Sequence, residues 1–268
     1  MKTPHFETKK EKINWLIENK STLVAQKMAT TKFADAFLHN TSFLNFDEKT
    51  IKHYADKQEM PDEFKVKVAI NTTNFLDSHD DVHIDNLWNK SLRENKNILH
   101  LQEHKLEFDK IISDGKDLKA KAETFTWKEL GYNYKGTTQA LVFESTVKRD
   151  RNAFMHKQYS QGRVKNHSVG MRYVKINLAV DDEEWKDEKA TWDKYIDQIA
   201  NKKQAQEQGF FWAVTEAKVI EGSAVPVGSN TATPTIETNG EPSKDTHFEP
   251  SKDTQINEYR SLIKSILK

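Results

Sequence analysis

Phe64, Val66, Val68 and Ile70 alternate with Lys65, Lys67 and Ala69. A period-two run of this kind buries one face only when laid out as a strand on a core. Further strands are expected at residues 98–101 and 108–113, after which the Asp114-Gly115 turn leads into a hairpin partner at 118–127. Residues 137–147, 163–180 and 210–227 continue the pattern, the second of these as one long strand or a bent pair. Helices intervene at 85–96, where Leu87, Trp88 and Leu92 share a face, and at 150–161, which Gly162 should end. The strands therefore have to form the core, with helices around it.

Both ends and one insert depart from the pattern. Residues 1–60 are polar and helical in spacing, through Ile13, Leu16 and Leu23 and then Phe33, Phe37 and Leu38, and are expected to form a separate helical extension. Residues 181–208 carry nine acidic and five basic side chains, with Trp185, Trp192, Ile196 and Ile199 near one helical face, the pattern of a surface helix packed by its tryptophans. Four of the six prolines lie from Pro226 onward, and EPSKDTHF is nearly repeated as EPSKDTQI. So few apolar groups cannot offset the entropy of ordering, so residues 228–255 are expected to be a disordered linker. Residues 256–268 suit an amphipathic helix through Ile256, Tyr259, Ile263, Ile266 and Leu267.

Charge excludes one class of partner argument. Forty-one basic residues balance forty-one acidic ones, which gives no footprint for nucleic acid or an anionic membrane. The absence of cysteine excludes disulfides, thiolate metal sites and cysteine catalysis. No run approaches the roughly 20 apolar residues of a membrane span, and no apolar run suited to a signal peptide follows the first residues, so a soluble protein is expected.

Three blocks carry chemistry: LHLQEH at 99–104, KNHSVGMRY at 165–173 and WAVTEAKVIEGSAVPVGSN at 212–230. In this order they resemble the head-maturation (prohead) proteases of tailed bacteriophages, serine peptidases related in fold to the herpesvirus assemblins. The resemblance spans about residues 66–234 and implies a prohead protease domain at 61–227. The expected fold class is thus α+β, with a mainly antiparallel, β-barrel-like core surrounded by helices. The implied activity is a serine endopeptidase that cleaves scaffold, or the scaffolding region of the major capsid protein, and itself, during head maturation. It would act in the host cytoplasm inside the immature prohead. The chemistry needs no cofactor, and the herpesvirus relatives make a homodimer plausible. No membrane or direct nucleic-acid partner is expected.

The same resemblance implies the site. Ser168 matches the family's serine-centred strand motif, and Gly170 would let substrate backbone approach closely. A serine hydroxyl is a weak nucleophile until a base takes its proton, and the base needs a third group to hold its tautomer. His167 is adjacent but should face away, because consecutive strand side chains point to opposite faces. His104, at the end of a hydrophobic strand, matches the family's catalytic histidine, with His100 as competitor. Glu221 aligns with the acidic partner, and Glu216, five residues earlier, falls on the opposite face. Arg149, Arg151 or Arg172 could add charge at an oxyanion hole, structural ion pairing being the alternative.

Two other readings compete. His79 and His83 are four residues apart, with Asp80 and Asp81 between them. On a helix they would share a face, which suggests a metal-dependent hydrolase. The glutamate of an HExxH motif and an obvious third ligand are both missing. A catalytically inactive head-assembly scaffold protein is the non-enzymatic reading, and the presence of both His104 and Ser168 argues against it.

Overall fold

The computed structural model describes residues 4–31, 61–239 and 241–242. The expected helix at 256–268, half of the expected linker and the second half of the N-terminal extension lie outside the described residues.

Among the described residues the strands form two sheets of five. The first has the order β10 (Glu241–Pro242), β9 (Thr235–Thr238), β1 (Glu63–Thr72), β6 (Thr137–Lys148) and β5 (Leu118–Thr126), antiparallel throughout. The second is built on β8 (Phe210–Val225), a 16-residue strand. β7 (Asn166–Val180) lies antiparallel along one edge of β8 for its whole length. The other edge carries β2 (Asp81–His83) and then β3 (Leu99–Gln102), both parallel to β8, with β4 (Ile111–Ser113) antiparallel to β3.

The fold is α+β with largely antiparallel sheets, and among the described residues the strands do not close into a barrel. The expected hairpin at Asp114-Gly115 is also absent. β4 has three residues and joins β3, whereas all nine residues of β5 pair with β6, in the other sheet.

The gap on β8 between β2 and β3 is filled by a turn and α3 (Asn89–Glu94), much shorter than the helix expected at 85–96. Ala217 N donates to Leu87 O, Val219 N to Ser91 Oγ, and Asn95 Nδ2 to Val219 O. Backbone groups of a buried strand need such partners. Ile70 of β1 and Phe143 of β6 pack with Val169, Met171 and Val219 of the second sheet in one core.

The N-terminal segment is not a separate arm over its described part. Ile13 and Leu16 of α1 (Lys9–Glu18) lie in the main core, and Lys27 of α2 (Lys20–Ala29) pairs with the buried Asp81 of β2. The linker likewise begins later than expected. Asn230, Ala232 and Thr233 are buried and β9 pairs with β1, so the folded body extends at least to Pro242. Their polarity is absorbed by hydrogen bonds: Asn230 Nδ2 donates to Asn71 Oδ1 and Thr72 O, and Thr233 Oγ1 donates to His167 O.

The expected helices bracket β7. α4 (Ala153–Ser160) is capped by Asn152, whose Oδ1 accepts from Met155 N, and the chain leaves it through Gly162 at φ +63°. The insert at 181–208 forms α5 (Lys186–Tyr195), a 3-10 turn at Ile196–Gln198 and α6 (Lys202–Gln208). Trp192, Ile196 and Ile199 pack on Phe211 and Ala213 of β8, as the apolar stripe predicts.

Candidate active site

β3 ends abruptly. Glu103 and His104 both take left-handed φ values, +52° and +57°. Non-glycine residues adopt this region at a cost of roughly 1 kcal/mol or more each, and the pair turns the chain back at the strand end. Glu103 N still donates to Ala224 O, while His104 N donates to Ser223 Oγ at 3.0 Å. The turn therefore stays anchored to β8.

From this position the imidazole reaches both β7 and β8. Ser168 Oγ lies 2.9 Å from His104 Nε2, and His104 Nδ1 lies 2.7 Å from Glu221 Oε1. An ionised carboxylate only accepts, so Nδ1 carries the ring proton and Nε2 is left to accept from the serine hydroxyl. This is the tautomer a general base needs. Glu221 is fully buried, and its second oxygen accepts from Ser223 Oγ at 2.6 Å. A buried carboxylate is tolerable only when paired and hydrogen-bonded in this way.

Strand register explains the arrangement. Ser168 stands opposite Ser223, and Gly170 opposite Glu221. The space beside Gly170 is occupied by the carboxylate itself: a Cβ there would overlap Glu221 Oε1 and lie 2.7 Å from its Cδ. Gly170 thus makes room for the third member of the site, where the sequence reading had assigned it to substrate backbone.

The remaining sequence candidates are placed as follows. His167 faces away from the Ser168 hydroxyl, with Nε2 2.9 Å from Tyr159 Oη and Nδ1 2.9 Å from Thr233 O. His100, the competing base, is buried and bonds Ser145 Oγ at 2.8 Å. It misses the site because β3 stops at Gln102, so the alternation linking positions 100 and 104 is broken. Glu216 pairs with Lys175 and Lys90. Arg149 and Arg151 pair with Asp62 and Asp114, and Arg172 is exposed. Ser223, which bonds both Glu221 and the His104 amide, was not singled out from sequence; only the pairing register identifies it.

The helix face that would join His79 and His83 is absent, because Asp81–His83 is a strand. Both ring nitrogens of His83 are occupied, Nδ1 by Asn71 Nδ2 at 3.0 Å and Nε2 by Tyr173 Oη at 3.1 Å. Among the described residues no cluster of three or more metal-ligating side chains occurs.

One cavity adjoins the site, and an open groove reaches Gln102, two residues before His104. A cavity of about 10 Å³, room for roughly one water, is lined by His167 and Ser168 together with Asp77, His83, Tyr173 and Asn230. Burial, reinforced by the charge on Asp81, pushes the Asp77 carboxyl up to about 7. The open groove, of about 450 Å³, is lined by Gln102, Asp109, Lys110, Arg151 and Phe154 among others. Phe154 is 58% exposed, as are Leu106 at 65% and Phe108 at 90% on the segment following His104. Of these only Phe154 lines the groove, and an exposed apolar side chain there suits contact with another polypeptide.

Comparison of the chain with family models, with curated proteins and with solved structures found no match.

Proposed function

We propose that this chain is a serine-type endopeptidase with Ser168 as nucleophile, His104 as general base and Glu221 as the carboxylate that holds the imidazole. The observation that carries the reading is the unbroken hydrogen-bond line from Ser168 Oγ through both ring nitrogens of His104 to Glu221 Oε1. Three residues from three separated segments meet in the order nucleophilic catalysis requires.

In the proposed reaction Ser168 Oγ attacks the scissile carbonyl carbon while its proton passes to His104 Nε2. Glu221 stabilises the resulting imidazolium. The C–N bond breaks as Nε2 returns the proton to the leaving amine, giving an acyl-serine. A water then loses its proton to Nε2 and attacks the acyl carbon, and Ser168 leaves with that proton. The open groove lined by Gln102, two residues before His104, and by the exposed Phe154 offers a peptide substrate a place to lie.

The substrate assignment rests on the three sequence blocks and their order. By that resemblance the enzyme cleaves scaffold, or the scaffolding region of the major capsid protein, inside the immature head of a tailed phage, on an assemblin-like framework and with homodimerisation plausible. Self-cleavage belongs to the same reading. Because Asn230 and Thr233 are buried and Thr235–Thr238 pairs with β1, a cut that leaves the folded body intact falls beyond Pro242, in the repeated EPSKDT stretch.

The test is co-expression of the wild-type chain or Ser168→Ala with capsid and scaffold proteins. Processed scaffold with the wild type and uncleaved scaffold with the variant is expected. Equal processing with both contradicts the reading.

A further inference from the structure

β7 carries Ser168 on one face and His167 on the other, and a continuous line of hydrogen bonds runs behind the nucleophile. Ser145 Oγ is 2.8 Å from His100 Nδ1, His100 Nε2 is 3.2 Å from Tyr159 Oη, Tyr159 Oη is 2.9 Å from His167 Nε2, and His167 Nδ1 is 2.9 Å from Thr233 O. All four side chains are at most 2% exposed. Thr233 also clamps the backbone of the residue before the nucleophile: its Oγ1 accepts from His167 N at 3.2 Å and donates to His167 O at 2.8 Å.

The proton positions follow from the end of the line. A carbonyl only accepts, so His167 Nδ1 carries the proton. Its Nε2, bare in the neutral ring, accepts from the Tyr159 hydroxyl. That uses the one proton on Tyr159, whose oxygen then accepts from His100 Nε2–H. His100 Nδ1 is left to accept from Ser145. With both imidazoles neutral, this is the one proton arrangement that satisfies all four bonds. A second proton on either ring makes Ser145 Oγ an acceptor and leaves its hydroxyl hydrogen without a place in the line, where an unmatched buried donor is costly.

We propose that His167 and Tyr159 are positioning residues for Ser168: the proton-ordered line from Ser145 to Thr233 fixes the register of β7 at residue 167. In doing so it holds Ser168 Oγ at the distance from His104 that proton transfer needs. This rests on the reading of Ser168 as nucleophile. The titratable groups facing His167 are His100 of β3 and Tyr159 of α4, with Asp77, His79, His83 and Tyr173 around the adjoining cavity. Burial holds His167 down at about 4 and His100 well below the ordinary histidine range, which keeps both rings neutral at pH 7.

Two measurements on the full chain test this. Long-range proton–nitrogen NMR of the wild type at pH 7 should place the ring proton on Nδ1 of His167 and on Nε2 of His100. Tyr159→Phe keeps the ring and deletes the central hydroxyl. Its rate of phosphonylation at Ser168 by a serine-directed phosphonate, and its kcat on a peptide, should fall roughly 10- to 100-fold with KM changed less than about twofold. A proton on Nε2 of His167, or a Tyr159→Phe protein reacting at the wild-type rate, overturns the proposal. If the wild type carries the stated tautomers and yet Ser168 is never phosphonylated, the nucleophile reading falls and the positioning role falls with it.

Discussion

Gly170 and Glu221 face each other across β7 and β8, and the carboxylate that holds His104 occupies the space a side chain at position 170 would need. The third member of the candidate triad therefore depends on a hydrogen atom two residues past the nucleophile. Gly170→Ala should push Glu221 off His104. Hydrolysis is expected to fall by about 100-fold or more, with a loss of roughly 1–3 kcal/mol in stability from overpacking. Peptide kinetics beside a denaturant melt check both; wild-type turnover would show that the carboxylate can relocate.

Glu221 and Ser223 separate charge from scaffolding. Glu221→Gln keeps the shape but removes the charge that favours the imidazolium, so kcat should drop on the order of 10³- to 10⁴-fold with little change in KM. Ser223→Ala deletes one hydrogen bond to the carboxylate and one to the His104 amide. Its cost should be smaller in rate, about tenfold, and about 1–3 kcal/mol in stability. Steady-state kinetics of the two variants test the ordering.

Acid should weaken the fold through His167. Burial lowers its folded value to about 4, whereas an unfolded histidine titrates near its ordinary value of 6.5. Above the unfolded value both states are neutral and the stability is fully present. As pH falls below it, the unfolded chain takes up the proton first, and stability is lost progressively until the folded form titrates near 4. Between pH 7.5 and pH 5 this amounts to about 2 kcal/mol, with His100 acting in the same direction. Denaturant titrations at the two pH values measure the difference, and His167→Gln should reduce it.

Lys27 ties the N-terminal helices to the second sheet. Its ammonium pairs with Asp81, which is fully buried and also accepts from Tyr173 Oη at 2.7 Å. Lys27→Met would leave that carboxylate without its cation, at a cost of roughly 3–5 kcal/mol. A melting temperature unchanged by the substitution would show that the helices are the separate extension their polar sequence suggests.

How much of this was legible in the chain varies by element. Apolar alternation located β1, β6, β7 and β8 within a few residues, because each buries at least one face. The pairing of β5 with β6 was not readable, since the apolar pattern of a strand does not say which other strand it pairs with. β9 was missed because Asn230, Thr233 and Thr235 are buried through hydrogen bonds, which polar composition does not reveal. At the site, Ser168, His104 and Glu221 came from the resemblance, and the structure brings them together. Period-two reasoning correctly turned His167 away; it would bring His100 into phase with His104 only in a strand continuing past Gln102, and the left-handed pair at 103–104, a tertiary feature, ends that strand. The roles of Ser223 and Gly170 follow from register alone.

The most direct measurement of the central claim is peptide mapping by mass spectrometry after exposure to a serine-directed phosphonate. Ser168 is only 2% exposed, so the reaction also reports whether the hydroxyl can be reached. The account predicts one adduct, on Ser168, formed by the wild type and lost in His104→Ala. An adduct that forms equally well without His104, or a wild-type protein that never acquires one, would contradict it.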